Sequence, residues 1–190
     1  MTQSMHVAQT KKVLLKDQLF NQVKVERLAC EIEQVYPAFE RSAFVHEVMA
    51  GFPARELKER ISWMTACLRK YLPDGYKKVV SVMLKALPEP CDPGLSDNDF
   101  GDFIYTPYTD FVAQYGCTKA HLDFSLHALR EMTTRFSAED AIRYFINTFP
   151  EETLKALLIW SKDDHYHVRR LASEGTRPKL PWSQKIVIPV

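Results

Sequence analysis

Apolar residues recur along this chain with the 3.6-residue period of amphipathic α-helices. In the segment 25–36 the apolar side chains share one face, and Pro37 ends the pattern. The same period predicts helices at 14–20, 39–49, 54–72, 76–87, 107–115, 119–136, 137–149, 151–162 and 166–174. Only residues 186–190 alternate like a strand. The pattern therefore predicts an all-α protein.

Residues with strong terminal preferences mark several of these boundaries. Gly51 and Gly116 follow apolar stripes and are expected to stop their helices. Pro107 and Pro150 suit the first turn of a helix, where the missing amide costs nothing. Ser137 is predicted to be the N-cap of the segment 137–149, with Asp140 completing a partial capping box.

The spacing of the helix breaks indicates repeated helix pairs. Pro37, Pro73 and Pro150 each separate two helices, at intervals that fit a unit of roughly 35 to 45 residues. In the last unit, Asp163 ends one helix and Val168-Arg169 opens the next, a pattern that resembles the HEAT repeat. The prediction is a right-handed solenoid of HEAT-like antiparallel helix pairs. An ordinary helical bundle with prolines between its helices is the alternative.

The solenoid is expected to form a single domain over 13–190. Residues 1–12 are polar and unpatterned, which predicts a flexible N-terminal tail. Residues 88–105 combine prolines and glycines with several aspartates, and are predicted to form an acidic loop that leaves the scaffold.

Composition excludes several classes of protein. The chain has 190 residues and a net charge of +1, so preference for a polyanion must come from local clustering. No apolar run is long enough to span a membrane and no secretory signal is present, so a cytoplasmic protein is expected. Its four cysteines are far apart, which argues against disulfides or zinc. The histidine spacings also fail as ligand pairs, so neither metal nor cofactor is predicted.

The segment 160–182 concentrates positive charge. A short helix is predicted to begin near Tyr166 and to end at Gly175, and stiff proline-rich chain follows it. The candidate phosphate-binding residues of this stretch are Arg169, Arg170, Arg177 and Lys179, with Trp182 beside them. The alternative is a basic face that is only solvated and binds no phosphate. For Arg169 a second alternative is a structural role, in a ladder of ion pairs between neighbouring repeats.

Three glutamates are candidates for chemistry. Glu174 lies at the C-terminus of the basic helix, where the helix dipole disfavours an anion, so a functional role is suspected. Glu139 lies in a first turn, where an acid stabilises a helix without any function. Glu131 lies in the preceding helix. Two acids beside arginines suit cleavage of a glycosidic bond next to a polyanion.

Two runs carry a family resemblance: Arg-Glu-Met-Thr-Thr-Arg-Phe-Ser-Ala-Glu-Asp-Ala-Ile-Arg, and Val-Arg-Arg-Leu-Ala-Ser-Glu-Gly-Thr-Arg-Pro-Lys-Leu-Pro-Trp. With the N-terminal Leu-Lys-Asp-Gln-Leu-Phe, they resemble the AlkC-type DNA alkylation repair glycosylases of the HEAT-like AlkD/AlkC superfamily. The resemblance implies excision of cationic N3-alkylated bases, such as 3-methyladenine, from duplex DNA without full base flipping.

The resemblance also implies roles for particular residues. Glu139 and Glu174 would be the acids, with Glu131 an open alternative to Glu139, and the basic segment would contact DNA. The family continues beyond the Leu-Pro-Trp element, so a chain shortened after the basic 165–185 element is expected, and its activity is open. A non-catalytic HEAT-like module that binds DNA or protein is the alternative. Lesion range and oligomeric state do not follow from these residues.

Overall fold

The computed structural model describes residues 13–94 and 101–187. Within them lie ten α-helices: α1 (Leu15–Leu19), α2 (Gln22–Val35), α3 (Arg41–Gly51), α4 (Leu57–Tyr71), α5 (Tyr76–Ala86), α6 (Thr106–Gly116), α7 (Leu122–Thr133), α8 (Glu139–Thr148), α9 (Pro150–Trp160) and α10 (Tyr166–Glu174). A 3-10 helix at Phe103–Tyr105 precedes α6. These residues contain no β-strand, only an isolated bridge between Gly101 and Phe136. The all-α prediction is confirmed.

One predicted helix boundary is wrong. Ala138, not Ser137, is the N-cap residue of α8, and it makes no side-chain cap. The Ser137 hydroxyl instead accepts the backbone amide of Glu139 at 3.3 Å, so it still satisfies one free amide of the first turn. Ile186 and Val187, which begin the alternating segment 186–190, form no strand, and residues 188–190 lie outside the described residues.

The helices pack in two layers. In one layer α3, α4, α6 and α8 contact one another in succession, and in the other α2, α5, α7 and α10 do so. Helix α9 packs against α8 and α10 and links the layers at the C-terminal side. This packing is consistent with stacked helix pairs. The right-handed sense of the solenoid remains a prediction.

A continuous apolar core lies between the layers. The stripe predicted for α2 is buried at Val25, Leu28 and Ile32, and α8 buries Ile142 and Phe145. Every residue of that short list is fully shielded from solvent. The helical period of the sequence therefore corresponds to the buried face, as expected for amphipathic helices.

Arg60 is a buried exception on α4. Its guanidinium donates to the backbone carbonyls of Lys16, Phe20, Phe52 and Arg55, and pairs with Asp17 at 2.7 Å. A single side chain thus ties α1 and the end of α3 to α4, because its donors satisfy carbonyls from both segments.

The acidic loop, 88–105, is hydrogen-bonded to the scaffold on both sides of residues 95–100, which lie outside the described residues. The Cys91 amide donates to the Thr134 carbonyl at 2.9 Å, and the Tyr166 amide donates to the Pro93 carbonyl at 3.1 Å. Gly101 pairs with Phe136 and has φ +72°, a conformation that favours glycine. A Cβ at Gly101 would lie 1.6 Å from the Arg135 carbonyl oxygen. The loop ends therefore pack on α7 and α10.

Candidate nucleic-acid interface and acid pair

The turn before α10 is built by local side-chain caps. An Asp163 carboxylate oxygen accepts the His165 amide at 2.9 Å, and the His165 ring accepts the His167 amide at 3.2 Å. His165 is the N-cap of α10, which begins at Tyr166 and ends before Gly175, as predicted. The sequence therefore fixes where the basic helix starts.

Asp163 also pairs with a neighbouring helix, through Arg130 of α7. The Arg130 guanidinium donates twice to one Asp163 oxygen, at 2.6 and 3.0 Å. Burial favours the neutral acid, but the His165 amide and Arg130 outweigh it and lower the pKa of Asp163. Arg130 thus joins the turn aspartate to helix α7.

Arg169 is used differently from the other cations of α10. Its Nη1 donates to the carbonyls of Asp163 and Asp164, at 2.7 and 2.8 Å, and so braces the turn that precedes its own helix. This contact favours a structural role for Arg169. Its half-exposed side chain also borders the groove described below.

Glu139 and Arg170 form the more protected of the two acid–arginine pairs that lie at the start of α8 and the end of α10. Glu139 is the first residue of α8, and its carboxylate contacts the Arg170 guanidinium of α10. The two side chains are only 13% and 19% exposed, so solvent screens the pair weakly. Helices distant in sequence thus bring the better candidate acid against a cation.

The environment of Glu139 raises its pKa. Burial is the largest cause, and the like charge of Glu174 adds to it. Arg170, the Ser137 hydroxyl and Arg177 act in the opposite direction but do not cancel it. Glu139 is therefore a stronger base than an ordinary surface glutamate, as suits a group that accepts a proton from water.

The second pair joins Glu174 and Arg177. Glu174 ends α10, and its carboxylate lies 2.7 Å from Arg177 Nη1. The Glu174 side chain is 26% exposed and that of Arg177 is 58% exposed, so this pair faces solvent more than the first. The structure thus places Glu139, Glu174, Arg170 and Arg177 within electrostatic reach of one another, at the start of α8 and the end of α10.

An open groove of about 930 Å³ runs between α9 and α10. One wall carries Arg169, Arg170 and Glu174, and Arg177 lies at its end. The other wall is apolar, with Leu158 of α9 68% exposed. Three of the predicted phosphate contacts and one candidate acid therefore border the same groove.

Residues 175–185 form a strap of turns and irregular chain that crosses α8 and reaches α4. Trp182 is 78% exposed, and its φ of +69° is unusual for a residue with a side chain. Lys58 of α4 donates to the Trp182 carbonyl, and Asn147 of α8 donates to the Lys185 carbonyl at 2.9 Å. Lys179 is exposed on the same strap. Both predicted contacts therefore lie on a backbone that the scaffold holds.

Arg143 of α8 is the important residue that the sequence reading missed. Its side chain is fully buried, and it donates to four strap carbonyls, those of Gly175, Arg177, Pro178 and Gln184, at 2.5 to 3.4 Å. The available signal was an arginine on the apolar stripe of α8, between Ile142 and Phe145. A charged residue on a buried stripe requires a partner, and here the partner is the strap backbone.

Glu131 belongs to a separate network. Its carboxylate pairs with Arg130 at 2.6 Å and with Arg135 at 3.7 Å, both on the C-terminal side of α7. Glu131 thus lies in the network that Arg130 extends to Asp163, whereas Glu139 lies with Glu174 and Arg177.

The described residues contain neither a metal-ligand cluster nor a membrane-spanning helix. Across residues 13–94 and 101–187, histidine, cysteine and acidic side chains form no group suited to a metal ion. In the same part of the chain, no helix combines the length and apolar character needed to cross a bilayer.

The fold and the site together define a class: an all-α protein of stacked helix pairs with acids and arginines beside a groove. No protein-family model matches the chain. It is 33% identical to the uncharacterised protein YhaZ of Bacillus subtilis (strain 168) over 170 residues, which are 89% of this chain and 44% of YhaZ.

A solved structure gives the second comparison. The alkylpurine DNA glycosylase AlkC of Pseudomonas fluorescens, bound to DNA containing an abasic-site analogue, matches with a TM-score of 0.76 and 33% identity. The match covers 92% of this chain and 45% of AlkC. The chain is therefore similar to AlkC in fold and in sequence over most of its own length, and it spans less than half the length of both relatives.

Proposed function

We propose that this chain carries the glycosidic-bond-cleaving site of an alkylpurine DNA glycosylase. Its substrate would be duplex DNA bearing a cationic N3-alkylated base such as 3-methyladenine, which leaves without being fully flipped into a pocket. The observation that carries the proposal is the protected Glu139–Arg170 pair beside Glu174 and Arg177. The likeness to AlkC over most of the chain supports the same reaction class.

The chemistry suits two carboxylates without a general acid. An alkylated purine already carries positive charge, so the electron pair of the glycosidic bond can leave with the base and neutralise it. The sugar that remains is oxocarbenium-like, and nearby carboxylates stabilise it. Water attacks the anomeric carbon, and its proton passes to Glu139, whose raised pKa makes it the stronger base. Glu174 would contribute negative charge beside the sugar.

The surrounding cations would hold the DNA backbone. Arg170 would keep Glu139 ionised near the sugar, while Arg177, Lys179 and Arg169 would contact phosphates. Trp182 is exposed and would stack against the nucleotide beside the lesion. Phosphate contacts orient a protein on the duplex and leave recognition of the lesion to the site itself.

The test is release of 3-methyladenine from methylated duplex DNA under single-turnover conditions. Glu139→Gln keeps the size of the side chain but removes its charge and basicity. We expect it to slow release about 100-fold or more, as for loss of a general base. Duplex affinity measured in parallel should change little. Release by Glu139→Gln at the wild-type rate would remove Glu139 from the reaction.

A non-catalytic module that binds DNA is the second candidate. One observation favours it: both candidate acids are already paired with arginines. A module of this kind would bind duplex DNA with a strong dependence on salt and would release no base from methylated DNA. The base-release assay with wild-type protein separates the two candidates.

A further inference from the structure

We propose that Arg143 is a positioning residue, which fixes the strap and through it sets Glu174 and Trp182 relative to Glu139. The inference rests on the proposed function for its catalytic consequence. Its structural part, the anchoring of the strap, can be tested without any activity.

The contacts of Arg143 close the strap into a loop. Three of its acceptors, the carbonyls of Gly175, Arg177 and Pro178, lie where the strap begins, and the fourth, that of Gln184, lies where it ends. A planar guanidinium has five N–H donors in a fixed fork, so one side chain can hold both ends of the loop at one point. Lys179 and Trp182 lie on the segment between those ends.

The placement of Arg143 links the two acids. Glu139 and Arg143 are one helical turn apart on α8, while Glu174 immediately precedes the first strap residue that Arg143 holds. A shift of the strap away from α8 would therefore move Glu174 away from Glu139. Misplacement of catalytic groups by about 1 Å can cost on the order of 100-fold in rate.

Energetic considerations also point to a role in geometry. Burial disfavours the charged guanidinium and lowers the pKa of Arg143, and the charge of Asp140 acts in the opposite direction. Among the described residues, no carboxylate lies within ion-pair distance of the Arg143 guanidinium. The hydrogen-bond partners of the Arg143 guanidinium are thus the backbone carbonyls of the strap, and these bonds hold the strap in place.

Arg60 provides a matched control. It is also a buried arginine that donates to four backbone carbonyls, but these belong to α1 and the end of α3. Arg60→Gln should therefore disturb the fold to a similar degree without releasing the strap. Comparing the two positions separates loss of the strap anchor from general loss of stability.

The experiment compares wild type, Arg143→Gln, Arg143→Lys and Arg60→Gln in the full chain, at a temperature where unfolding curves show all to be folded. Limited trypsin digestion followed by mass spectrometry reports cleavage after Lys179 on the strap. We expect Arg143→Gln to be cut there about 10-fold faster than Arg60→Gln, because the strap should open locally more often once its anchor is lost. A tenfold change in this opening equilibrium corresponds to a free energy of local opening that is lower by about 1.4 kcal/mol. Arg143→Lys, which keeps the charge but not the fork, should lie between Arg143→Gln and wild type.

Two activity measurements complete the test. In Arg143→Gln, single-turnover base release should fall about 100-fold while affinity for undamaged duplex stays within about threefold, because geometry is lost and the phosphate-binding charges are kept. Arg60→Gln should keep the wild-type rate constant per folded molecule. Equal cleavage after Lys179 in Arg143→Gln and Arg60→Gln would overturn the anchoring. A loosened strap with unchanged release would overturn the positioning role.

Failure of the proposed function gives a different result. If the wild-type protein releases no base, the readout becomes its affinity for duplex DNA that contains an abasic-site analogue, in place of the rate of base release. Arg143→Gln should then lose affinity for this duplex relative to undamaged duplex, and Arg60→Gln should not. Equal loss in both variants would overturn the positioning role whatever reaction the protein performs. Arg143→Lys answers the same questions if Arg143→Gln proves unfolded.

Discussion

At the scale of single residues, Glu139 shows a conflict between stability and chemistry. Its carboxylate is shielded from water and lies near a second acid, and together these effects raise its pKa despite the contact with Arg170. A residue selected only to stabilise the first turn of α8 would remain exposed and keep an ordinary pKa. The burial that costs stability is also what strengthens Glu139 as a base.

Glu139→Gln is therefore expected to raise the unfolding temperature at neutral pH. A glutamate whose pKa is higher in the folded state binds its proton more tightly there, so its stabilising contribution is present at low pH and is lost as pH rises through the folded pKa. The difference between variant and wild type should vanish on acidification below the ordinary glutamate range. Thermal unfolding from pH 3.5 to 8 measures it.

Glu152 supplies a control of opposite sign. Its contact with Lys119 lowers the pKa of its carboxyl, so Glu152→Gln should not stabilise the protein at neutral pH. A Glu139→Gln variant that unfolds at a lower temperature than wild type at pH 7 would show that the Arg170 pair outweighs burial.

Asp163 has the opposite character, because its partners lower its pKa. Asp163→Asn removes the charge that binds Arg130 and weakens the cap on the His165 amide, and should cost about 1.5 to 3 kcal/mol at pH 7. A depressed folded pKa contributes stability above the ordinary aspartate range, and this is lost as pH falls through the folded value. Urea unfolding at pH 7 and pH 3 measures the change.

The neighbouring aspartate is the control for that measurement. Asp164 is exposed, and its recorded contact with Arg169 is made by its backbone carbonyl, which Asp164→Asn leaves in place. Equal destabilisation by Asp164→Asn and Asp163→Asn would mean that the turn, and not the Arg130 contact, is being disturbed.

The residue scale also shows what sequence reasoning could and could not reach. Glu174 and Arg177 are only three residues apart, at the end of α10 and on the strap, so their proximity follows from closeness in sequence. Glu139 was singled out through family resemblance, and its contact with Arg170 depends on how α8 packs against α10. Arg143 was missed because hydrophobic patterning treats a charged residue as solvent-facing, and only the strap backbone explains its burial.

At the scale of elements, helices were predictable and connections were not. Each long helix has a one-sided apolar stripe, and this local signal survives in the packed structure. The predicted 119–136 helix is shorter, at Leu122–Thr133, because residues beyond Thr133 turn to meet the acidic loop. Contacts between segments distant in sequence leave no such periodic signal, so the loop ends and the strap could not be placed.

Gly101 makes the loop attachment testable. Gly101→Ala should cost about 2 kcal/mol or more, because a side chain disfavours φ +72° and the Cβ would collide with the Arg135 carbonyl oxygen. A lower midpoint in thermal unfolding is the expected result. Gly94→Ala, whose Cβ would come no closer than 3.4 Å to the Asp92 side chain, should be nearly neutral. A stable Gly101→Ala protein would show that the loop relaxes away from α7.

At the scale of the whole molecule, positive charge is clustered locally although the net charge is small. The net charge is only +1, yet the groove and the strap carry several cations on one side of the C-terminal helix pair. The all-α class followed from periodicity alone, whereas the two-layer order of the helices depends on which apolar faces meet. The spacing of the prolines indicates repeated helix pairs, but it does not determine which helices pack against each apolar face.

This clustering predicts that cations on the strap contribute to the salt dependence of duplex DNA binding. Lys179→Ala should weaken binding to duplex DNA of any sequence and reduce the slope of log affinity against log salt by about one unit, as expected for one lost phosphate contact. Fluorescence anisotropy with a labelled duplex at several salt concentrations measures the slope.

Lys70→Ala is the matched control for that titration. Lys70 is an exposed lysine on α4 that pairs with Glu47, so its removal changes net charge equally without touching the strap. If both variants reduce the slope equally, the effect comes from overall charge and the strap does not contact phosphate.

The grip of Arg143 on the strap has a consequence for how such proteins can diverge. Because the anchor recognises only backbone carbonyls, it is indifferent to which side chains the strap carries between Gly175 and Gln184. Lineages can therefore exchange residues such as Lys179 and Leu180 without changes to the scaffold beneath them, whereas φ +69° restricts the choice at position 182. A library randomised at Lys179 and Leu180 should therefore remain largely folded, and under the proposed function its preference among DNA lesions should vary.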